Sequence, residues 1–312
     1  MPETPDDAVF HAGEQALQRQ VGSREHLARL GARIVQDALP EAHQAFFAQL
    51  PLLVLGAADA QGQPWCGLLE GAPGFVHAPE ARSLRVNALP GADDPLGACL
   101  RRHGDVGMLG IELDTRRRNR VNGQVLELDA TGFTVRVEQS FGNCPRYIQL
   151  REARAQDSPL DARPPLRAAR LQGEAAALVR RADTLFIATR VARGQSGVGA
   201  GADASHRGGR PGFVQVDAEG ARLAWAEFPG NRYFNTLGNL LLEPRAGLVF
   251  PDFASGDLVH VAGRTEILDG AAAAALEGAE RAVLLHVEQV IHRPGALSRR
   301  WRLLEYSPHL GG

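Results

Sequence analysis

The sequence predicts a mainly β chain with flanking helices, built as two small barrels in tandem. Three observations carry this prediction. The tetrapeptide Pro-Gly-Phe-Val occurs twice, at 73–76 and at 211–214. Further landmarks follow each copy in the same order: Gly107-Met-Leu-Gly110 answers Gly247-Leu-Val-Phe250, and Arg120-Val-Asn-Gly123 answers His260-Val-Ala-Gly263. Around both copies the text consists of short β-rich runs divided by Gly, Pro and Asp turns, with only one or two helical stretches per block. Self-similarity on this scale decides the architecture before any local reading. The chain reads as a tandem duplication whose halves have diverged.

Residues about 14–50 read as helical, because Leu27, Leu30, Ile34 and Ala38 recur at three- and four-residue spacing. Pro40 breaks the stretch, and Glu41–Leu50 reads as a second short helix ending at Pro51. Leu52-Leu-Val-Leu55 is the first strand, and Ser83-Leu-Arg-Val86 a later one. Thr131-Gly132 opens the alternating run from Phe133. Arg151–Pro165, polar and without periodicity, reads as a linker. A short helix at Glu174–Ala182 leads to the second block, whose strands include Leu185–Thr189 and Arg222–Trp225. A helix at about Tyr233–Leu242 ends at Pro244, and an Ala-rich helix spans Ala271–Arg281. In the closing strand, Val283, Leu285, Val287 and Gln289 are expected to share one face. The expected domains are a helical segment at 1–50, a first barrel at 51–150, a linker at 151–173 and a second barrel at 174–312.

The 312 residues allow about two domains, and 34 basic against 36 acidic residues give no field that favours nucleic acid or an anionic membrane. Apolar runs are far shorter than the roughly 20 residues of a membrane helix. The acidic start, Met1–Asp7, lacks the basic and apolar regions of a signal peptide. Cys66, Cys99 and Cys144 form neither a CxxC pair nor an even set, which argues for a reducing cytoplasm and against a zinc site. Ten histidines show no metal spacing. A cytoplasmic protein with no nucleic-acid or membrane partner and no metal is expected.

Four polar clusters are candidates for chemistry. Asn231, Arg232, Asn235, Thr236 and Asn239 gather where a helix follows a strand, the place where free N–H groups and the helix dipole attract an anion. They read as a phosphate cradle; the plain alternative is that one Asn caps the helix. The matching stretch of the first repeat, Pro90–Leu100, offers Asp93 and Asp94 instead and would repel phosphate. Ser205-His-Arg207, followed by Gly208-Gly209, could line a planar ligand, or could be a solvated turn. The glycines of 194–201 lack the strand and helix of a dinucleotide motif and read as a loop. In Asp114–Arg120, alternation sends Arg116, Arg118 and Arg120 one way, Arg117 and Asn119 the other. Gln139–Gln149 contains Asn143 and Cys144; with no His or acid beside it, Cys144 reads as lining or packing.

These residues resemble the FMN-binding split barrel of the pyridoxamine 5'-phosphate oxidase-like superfamily, in a tandem two-barrel subgroup. The resemblance rests on Asn231-Arg-Tyr-Phe-Asn-Thr-Leu-Gly-Asn-Leu240, Glu243-Pro-Arg-Ala-Gly-Leu-Val-Phe-Pro251 and Leu258-Val-His-Val-Ala-Gly263. It rests also on Phe10-His-Ala-Gly-Glu14 and Ser140-Phe-Gly-Asn-Cys-Pro145. It implies two tandem split β-barrels forming an intrachain pseudo-dimer, with FMN in the groove between them. Carried over, Arg232, Asn235, Thr236 and Asn239 hold the phosphate, and Asn231 and Phe234 beside them are also expected to bind the cofactor. Ser205, His206 and Arg207 run along the isoalloxazine, faced by Arg117, Arg118 and Asn119 and by the segment with Asn143 and Cys144. The family's Ser-Arg-Lys run is Phe234-Asn-Thr236 here, two positive charges fewer, which Arg116–Arg118 could replace.

The resemblance implies an FMN-dependent oxidoreductase with a small-molecule substrate or an electron donor such as NAD(P)H. Arg207 and Arg118 are the candidates beside the flavin N1/C2 edge, and no catalytic residue is assigned. A non-catalytic flavin- or haem-binding module, or a barrel pair with empty pockets, are the alternatives. One FMN per chain is expected, and the sequence leaves monomer and homodimer open.

Overall fold

The computed structural model describes residues 9–102, 104–154, 163–194, 199–276 and 279–310. The extreme N-terminus, the middle of the expected linker and the centre of the 194–201 loop lie outside the described residues.

Three helices come first: α1 (Ala12–Gln20), α2 (Arg24–Ile34) and α3 (Glu41–Gln49). His11 opens α1 with a capping box, its side chain accepting from the Gly13 N–H while Glu14 accepts from the His11 N–H. The first barrel is β1 (Leu52–Ala58), β2 (Pro64–Glu70), β3 (Val76–Glu80), β4 (Ser83–Val86), α4 (Leu96–Leu100), β5 (Asp105–Glu112), β6 (Arg117–Leu128) and β7 (Phe133–Gly142). Then come β8 (Leu150–Arg154), β9 (Leu166–Ala168) and α5 (Gly173–Arg181). The second barrel is β10 (Thr184–Val191), β11 (Gly201–Gly208), β12 (Val214–Val216), β13 (Arg222–Glu227), α6 (Asn235–Leu242), β14 (Arg245–Pro251), β15 (Leu258–Asp269), α7 (Gly270–Ala274) and β16 (Arg281–Arg293). A last strand, β17 (Arg300–Glu305), pairs with β8.

The two large sheets have one strand order. The first runs β2-β1-β5-β6-β7-β4-β3, the second β11-β10-β14-β15-β16-β13-β12, with β9 added beside β16. Each long central pair carries a bulge at a glycine, between Asn122 and Gly123 in one barrel and between Ala262 and Gly263 in the other. At both glycines a Cβ would lie 1.9 Å from the carbonyl oxygen of the facing strand, Arg136 or His286. Only a residue without a side chain fits there.

Each barrel has its own apolar core, one centred on Phe47, Leu53, Met108 and Phe133, the other on Ile187, Trp225, Leu248 and Leu285. A third apolar cluster joins them. Leu52, Val54, Leu68, Leu109 and Ile111 of the first pack on Phe186, Ala188, Ala204, Val249 and Leu258 of the second. A junction this apolar holds the barrels as one body rather than as hinged domains. Its geometry is a pseudo-twofold: Gly107 lies against the backbone of Asp203 and Ala204, and Gly247 against that of Pro64 and Trp65. These are matching positions, since Ala57 pairs with Trp65 as Thr189 pairs with Asp203. The chain is thus two tandem split barrels forming an intrachain pseudo-dimer.

Several local expectations are corrected. The helical stretch near the N-terminus divides into α1 and α2 before the predicted break at Pro40, with Gly22 at φ 67° between them. Helix α6 begins at Asn235, because Arg232 and Phe234 hold left-handed backbone at φ 59° and 63°. The Ala-rich helix α7 is a single turn ending at Ala274. The expected linker starts as strand β8, covered by β17, a pairing nearly 150 residues apart that local composition cannot reveal. In β16 the register shift opposite Ala262/Gly263 reverses the alternation, so Val290 joins Val283 and Leu285 in the core and Gln289 is exposed.

Candidate functional site

A cavity of about 400 Å³ opens where the two barrels meet, within the usual range for a small-molecule or cofactor site. The first barrel and the segment after it supply Leu109, Arg118, Arg120, Asn143, Cys144, Arg146 and Tyr147. The second supplies β11 from Ser205 to Gly208, the loop from Phe228 to Phe234, and the first turn of α6.

The deep end is a network of buried polar side chains. Arg120 on β6 crosses to Asp203 on β11 at 2.8 Å, donates to Asn235 Oδ1 at 2.8 Å and donates to the Ser205 hydroxyl. Thr236 donates to Ser205 Oγ at 2.9 Å, and Ser205 donates to Asp203 at 3.1 Å. Asn235 donates its amide to Glu14, whose carboxyl burial pushes up to about 8 against hydrogen bonds from His11 and Asn235. Helix α1 can come this close because Gly13 crosses α6 at Gly238; a Cβ on Gly13 would lie 2.1 Å from the Gly238 carbonyl oxygen.

The middle of the cavity holds Arg118 and His206. Arg118 donates through Nε to the Cys144 carbonyl at 2.8 Å and through Nη1 to His206 Nδ1 at 3.1 Å. Burial, then the neighbouring Arg120 and Arg207, lowers its affinity for a proton to about 9, so it stays charged at neutral pH. Burial and the same cationic surroundings push His206 well below its ordinary value and keep it neutral. Arg207 is balanced by Glu227 at 2.7 Å, which also accepts from Trp225 Nε1. At the mouth, Tyr147 stacks on Phe228 with centroids 5.3 Å apart and donates to the Pro229 carbonyl at 2.9 Å.

Besides Arg281 Nε, which lies 3.5 Å from the Asp269 carboxylate, three buried polar atoms of lining residues have no hydrogen-bond partner: Arg120 Nε, Asn143 Nδ2 and His206 Nε2. All three are donors, the histidine because its Nδ1 already accepts from Arg118, which has no acceptor to offer. The N–H groups at the start of α6 add to them: Phe234 occupies the N-cap without a side-chain bond, and residues 234–237 line the cavity. The cavity is therefore built for a ligand rich in acceptors.

Of the residues expected from sequence, Arg118, Asn143, Cys144, Ser205, His206, Arg207, Asn231, Arg232, Phe234, Asn235 and Thr236 line this cavity. Three do not. Arg117 points away from it, over the Phe46 ring and 3.8 Å from Glu112, because β6 alternates. Asn119 shares that alternate phase and is absent from the lining. Asn239 lies one turn too deep in α6 and is spent on Thr189 and His11. Arg116 is a turn residue at φ 56° bound to Glu305 and to the Ile148 carbonyl, so it cannot supply charge to the cavity. Ser205-His-Arg207 is strand, not turn, and Gly208 is required by the Tyr147 carbonyl, 2.0 Å from a Cβ there, rather than by a ligand. Arg120, Glu14, Tyr147 and Glu227 were not among the expected site residues. For Arg120 the signal was present, since it shares the phase of Arg118 on β6.

The pseudo-twofold mate of this site is filled by protein. Strand registers put Gly67 where Ser205 stands, Leu68 for His206, Leu258 for Arg118 and His260 for Arg120. Leu96 fills the space above Gly67, 2.7 Å from where a Cβ would be. Asp94, read from sequence as a carboxylate that would repel phosphate, is buried in an ion pair with Arg293 at 2.6 Å.

Among the described residues no helix is long and apolar enough to cross a membrane, and no cluster of His, Cys, Asp and Glu could hold a metal. No curated protein matches the chain. Similar solved structures include HupZ of Group A Streptococcus, at 12% identity over 33% of this chain and 93% of that one, TM-score 0.27. Another is a pyridoxamine 5'-phosphate oxidase-like protein of Lactobacillus delbrueckii, at 19% identity over 34% and 95%, TM-score 0.27. Residues 39–163, which hold the whole first barrel, match the family model for pyridoxamine 5'-phosphate oxidase. The matched half is thus similar to that family's domain, and the second half of the chain repeats its strand order.

Proposed function

We propose that this protein is an FMN-dependent oxidoreductase that arose by duplication of one split barrel and binds one FMN per chain in the cavity between the halves. The observation that carries the reading is the set of three unpartnered buried donors, Arg120 Nε, Asn143 Nδ2 and His206 Nε2, in one cavity beside an uncapped helix start. FMN matches such a set, because its phosphate and its dioxopyrimidine edge present acceptors. The α6 start with Thr236 and Arg232 would take the phosphate, and Arg118, Asn143 and His206 would take the ring edge. Bound there, FMN would supply transfer of an electron pair between a donor such as NAD(P)H and a small-molecule substrate.

The chain's own residues would orient and shield. Arg120 is neutralised by Asp203, and Asn235 is spent on Arg120 and Glu14, so these groups shape the pocket floor. Arg118, Arg146 and Arg232 line the pocket with no carboxylate partner among the described residues, and Arg118 is the least exposed of these cations. The haem alternative is disfavoured at His206, whose Nδ1 is taken by Arg118 and whose Nε2 then carries hydrogen and has no lone pair for iron.

The test is direct. The purified protein, or the protein titrated with FMN, should show flavin absorbance at one FMN per chain and a raised melting temperature. Anaerobic NADH or NADPH should bleach it, and air or a dye should restore the colour. A protein that purifies colourless and whose melting temperature FMN leaves unchanged sinks the proposal; binding without bleaching leaves only a flavin-binding module.

A further inference from the structure

We propose that Arg118 is a positioning residue that locks His206 as the Nε2–H tautomer, so that a neutral imidazole donates one hydrogen bond to an acceptor on the flavin's dioxopyrimidine edge. The inference rests on the function proposed above and assigns how that site recognises its ligand.

The argument follows from what each group can donate. A guanidinium has five N–H donors and no acceptor. Arg118 Nη1 lies 3.1 Å from His206 Nδ1, so Nδ1 must be the acceptor and the one proton of the neutral ring must sit on Nε2. Among the described residues nothing else bonds to Nδ1. Arg118 itself is held by the Cys144 carbonyl through Nε, which fixes the plane of the fork. The ring is 4% exposed and packs against Phe186 with centroids 5.6 Å apart, so it does not turn over to exchange its nitrogens. The charges facing the ring are Arg118, Arg207 and Arg151, all cations, and these with burial keep it from taking a second proton.

The result is an N–H that is buried and unpartnered, on a residue of the cavity lining. A buried donor left without an acceptor is costly, and a ligand acceptor removes that cost. Arg118 behind the ring polarises the imidazole and makes Nε2–H a stronger donor than an isolated histidine. The pairing joins the halves of the chain, since Arg118 is on β6 and His206 on β11. At the pseudo-twofold mate both positions are leucine, Leu258 and Leu68, so the device exists once.

The experiment reads the histidine directly. In the full-length protein, nitrogen–proton correlation spectra of the imidazole side chains are recorded without and with FMN, and assigned by loss of the His206 signal in His206→Gln. The expected result is a single Nε2–H tautomer that stays neutral through the pH range where an ordinary histidine, pKa about 6.5, takes up a proton. Its Nε2–H proton should move downfield when FMN binds. Arg118→Met should release the tautomer and weaken FMN about tenfold, whereas Arg118→Lys, which keeps a donor, should restore both. A protein carrying the proton on Nδ1, or a bound FMN that leaves the Nε2–H signal unmoved, overturns the proposal. Failure of FMN to bind overturns its flavin clause together with the function above, and the tautomer seen in the FMN-free protein tells that failure from a wrong Arg118–His206 assignment.

Discussion

Arg120 of the first barrel is ion-paired at 2.8 Å with Asp203 of the second, and both side chains are buried, 5% and 4% exposed. The pair closes the cavity floor and ties the halves together. Removing one partner leaves a charge stranded in a low-dielectric site, which typically costs about 3–5 kcal/mol. Arg120→Ala is therefore expected to lower the free energy of unfolding by about that amount in urea denaturation. The double change Arg120→Leu with Asp203→Leu should cost less than Arg120→Ala alone. Equal or greater loss in the double variant would show that the cost is packing rather than a stranded charge.

Glu14 gives the floor a pH dependence. Its folded carboxyl titrates at about 8, raised by burial, above the ordinary value of 4.5. The folded state thus binds a proton that the unfolded state has released, so this group's stabilisation is full below about 4.5 and is lost as pH rises through about 8. Its slope is at most about 1.4 kcal/mol per pH unit. Unfolding measured from pH 5 to pH 8 should show stability falling with pH in the wild type, and Glu14→Gln should flatten that fall. An identical slope in the variant would assign the titration to another group.

The parts legible in the sequence are those set by local pattern. The duplication was legible because Pro-Gly-Phe-Val and the paired glycine steps recur in fixed order, and the two sheets have the same strand order. Alternation along β6 also gave the right phase for Arg118 and Arg120 against Arg117. What was not legible depends on contacts far apart in the chain. Glu14 meets Asn235 across 221 residues, and Asp94 meets Arg293 across 199. A carboxylate read as repelling phosphate is in fact spent on an arginine that only the fold brings near. In β16 the bulge opposite Gly263 reset the side-chain phase, which an unbroken period of two cannot foresee.

The crossing of α1 over α6 tests how the N-terminal segment supports the cavity. A Cβ on Gly238 would lie 2.6 Å from both the Cγ and the backbone nitrogen of Glu14. Backbone cannot yield as a flexible side-chain end can, so Gly238→Ala should push α1 away and cost about 1–3 kcal/mol. The same shift withdraws Glu14 from Asn235, so FMN affinity should fall as well. Gly74→Ala is the control: nothing lies within 4 Å of its Cβ, although φ is 92°, and neither it nor its chain neighbours line the cavity. It should lose stability without losing FMN affinity. If Gly238→Ala melts and binds as the wild type does, α1 is not a support of the site.

Stoichiometry distinguishes a kept site from a filled one. Asn235 and Thr236 link Glu14, Arg120 and Ser205 at the start of α6, each through hydrogen bonds worth about 1 kcal/mol. Changing both to Ala releases the network on which the anion cradle stands, so FMN affinity is expected to fall about 10- to 100-fold. Asp93 is exposed in the filled mate, and Asp93→Ala should leave binding unchanged. Asp94→Ala should destabilise the protein, because Arg293 loses its buried partner, yet should open no second site: Leu96 and Leu258 remain. Titration of the wild type and of each variant with FMN, followed by flavin fluorescence, reads all three expectations. Two FMN per chain, or an Asn235→Ala/Thr236→Ala variant that binds as the wild type does, would place the ligand elsewhere.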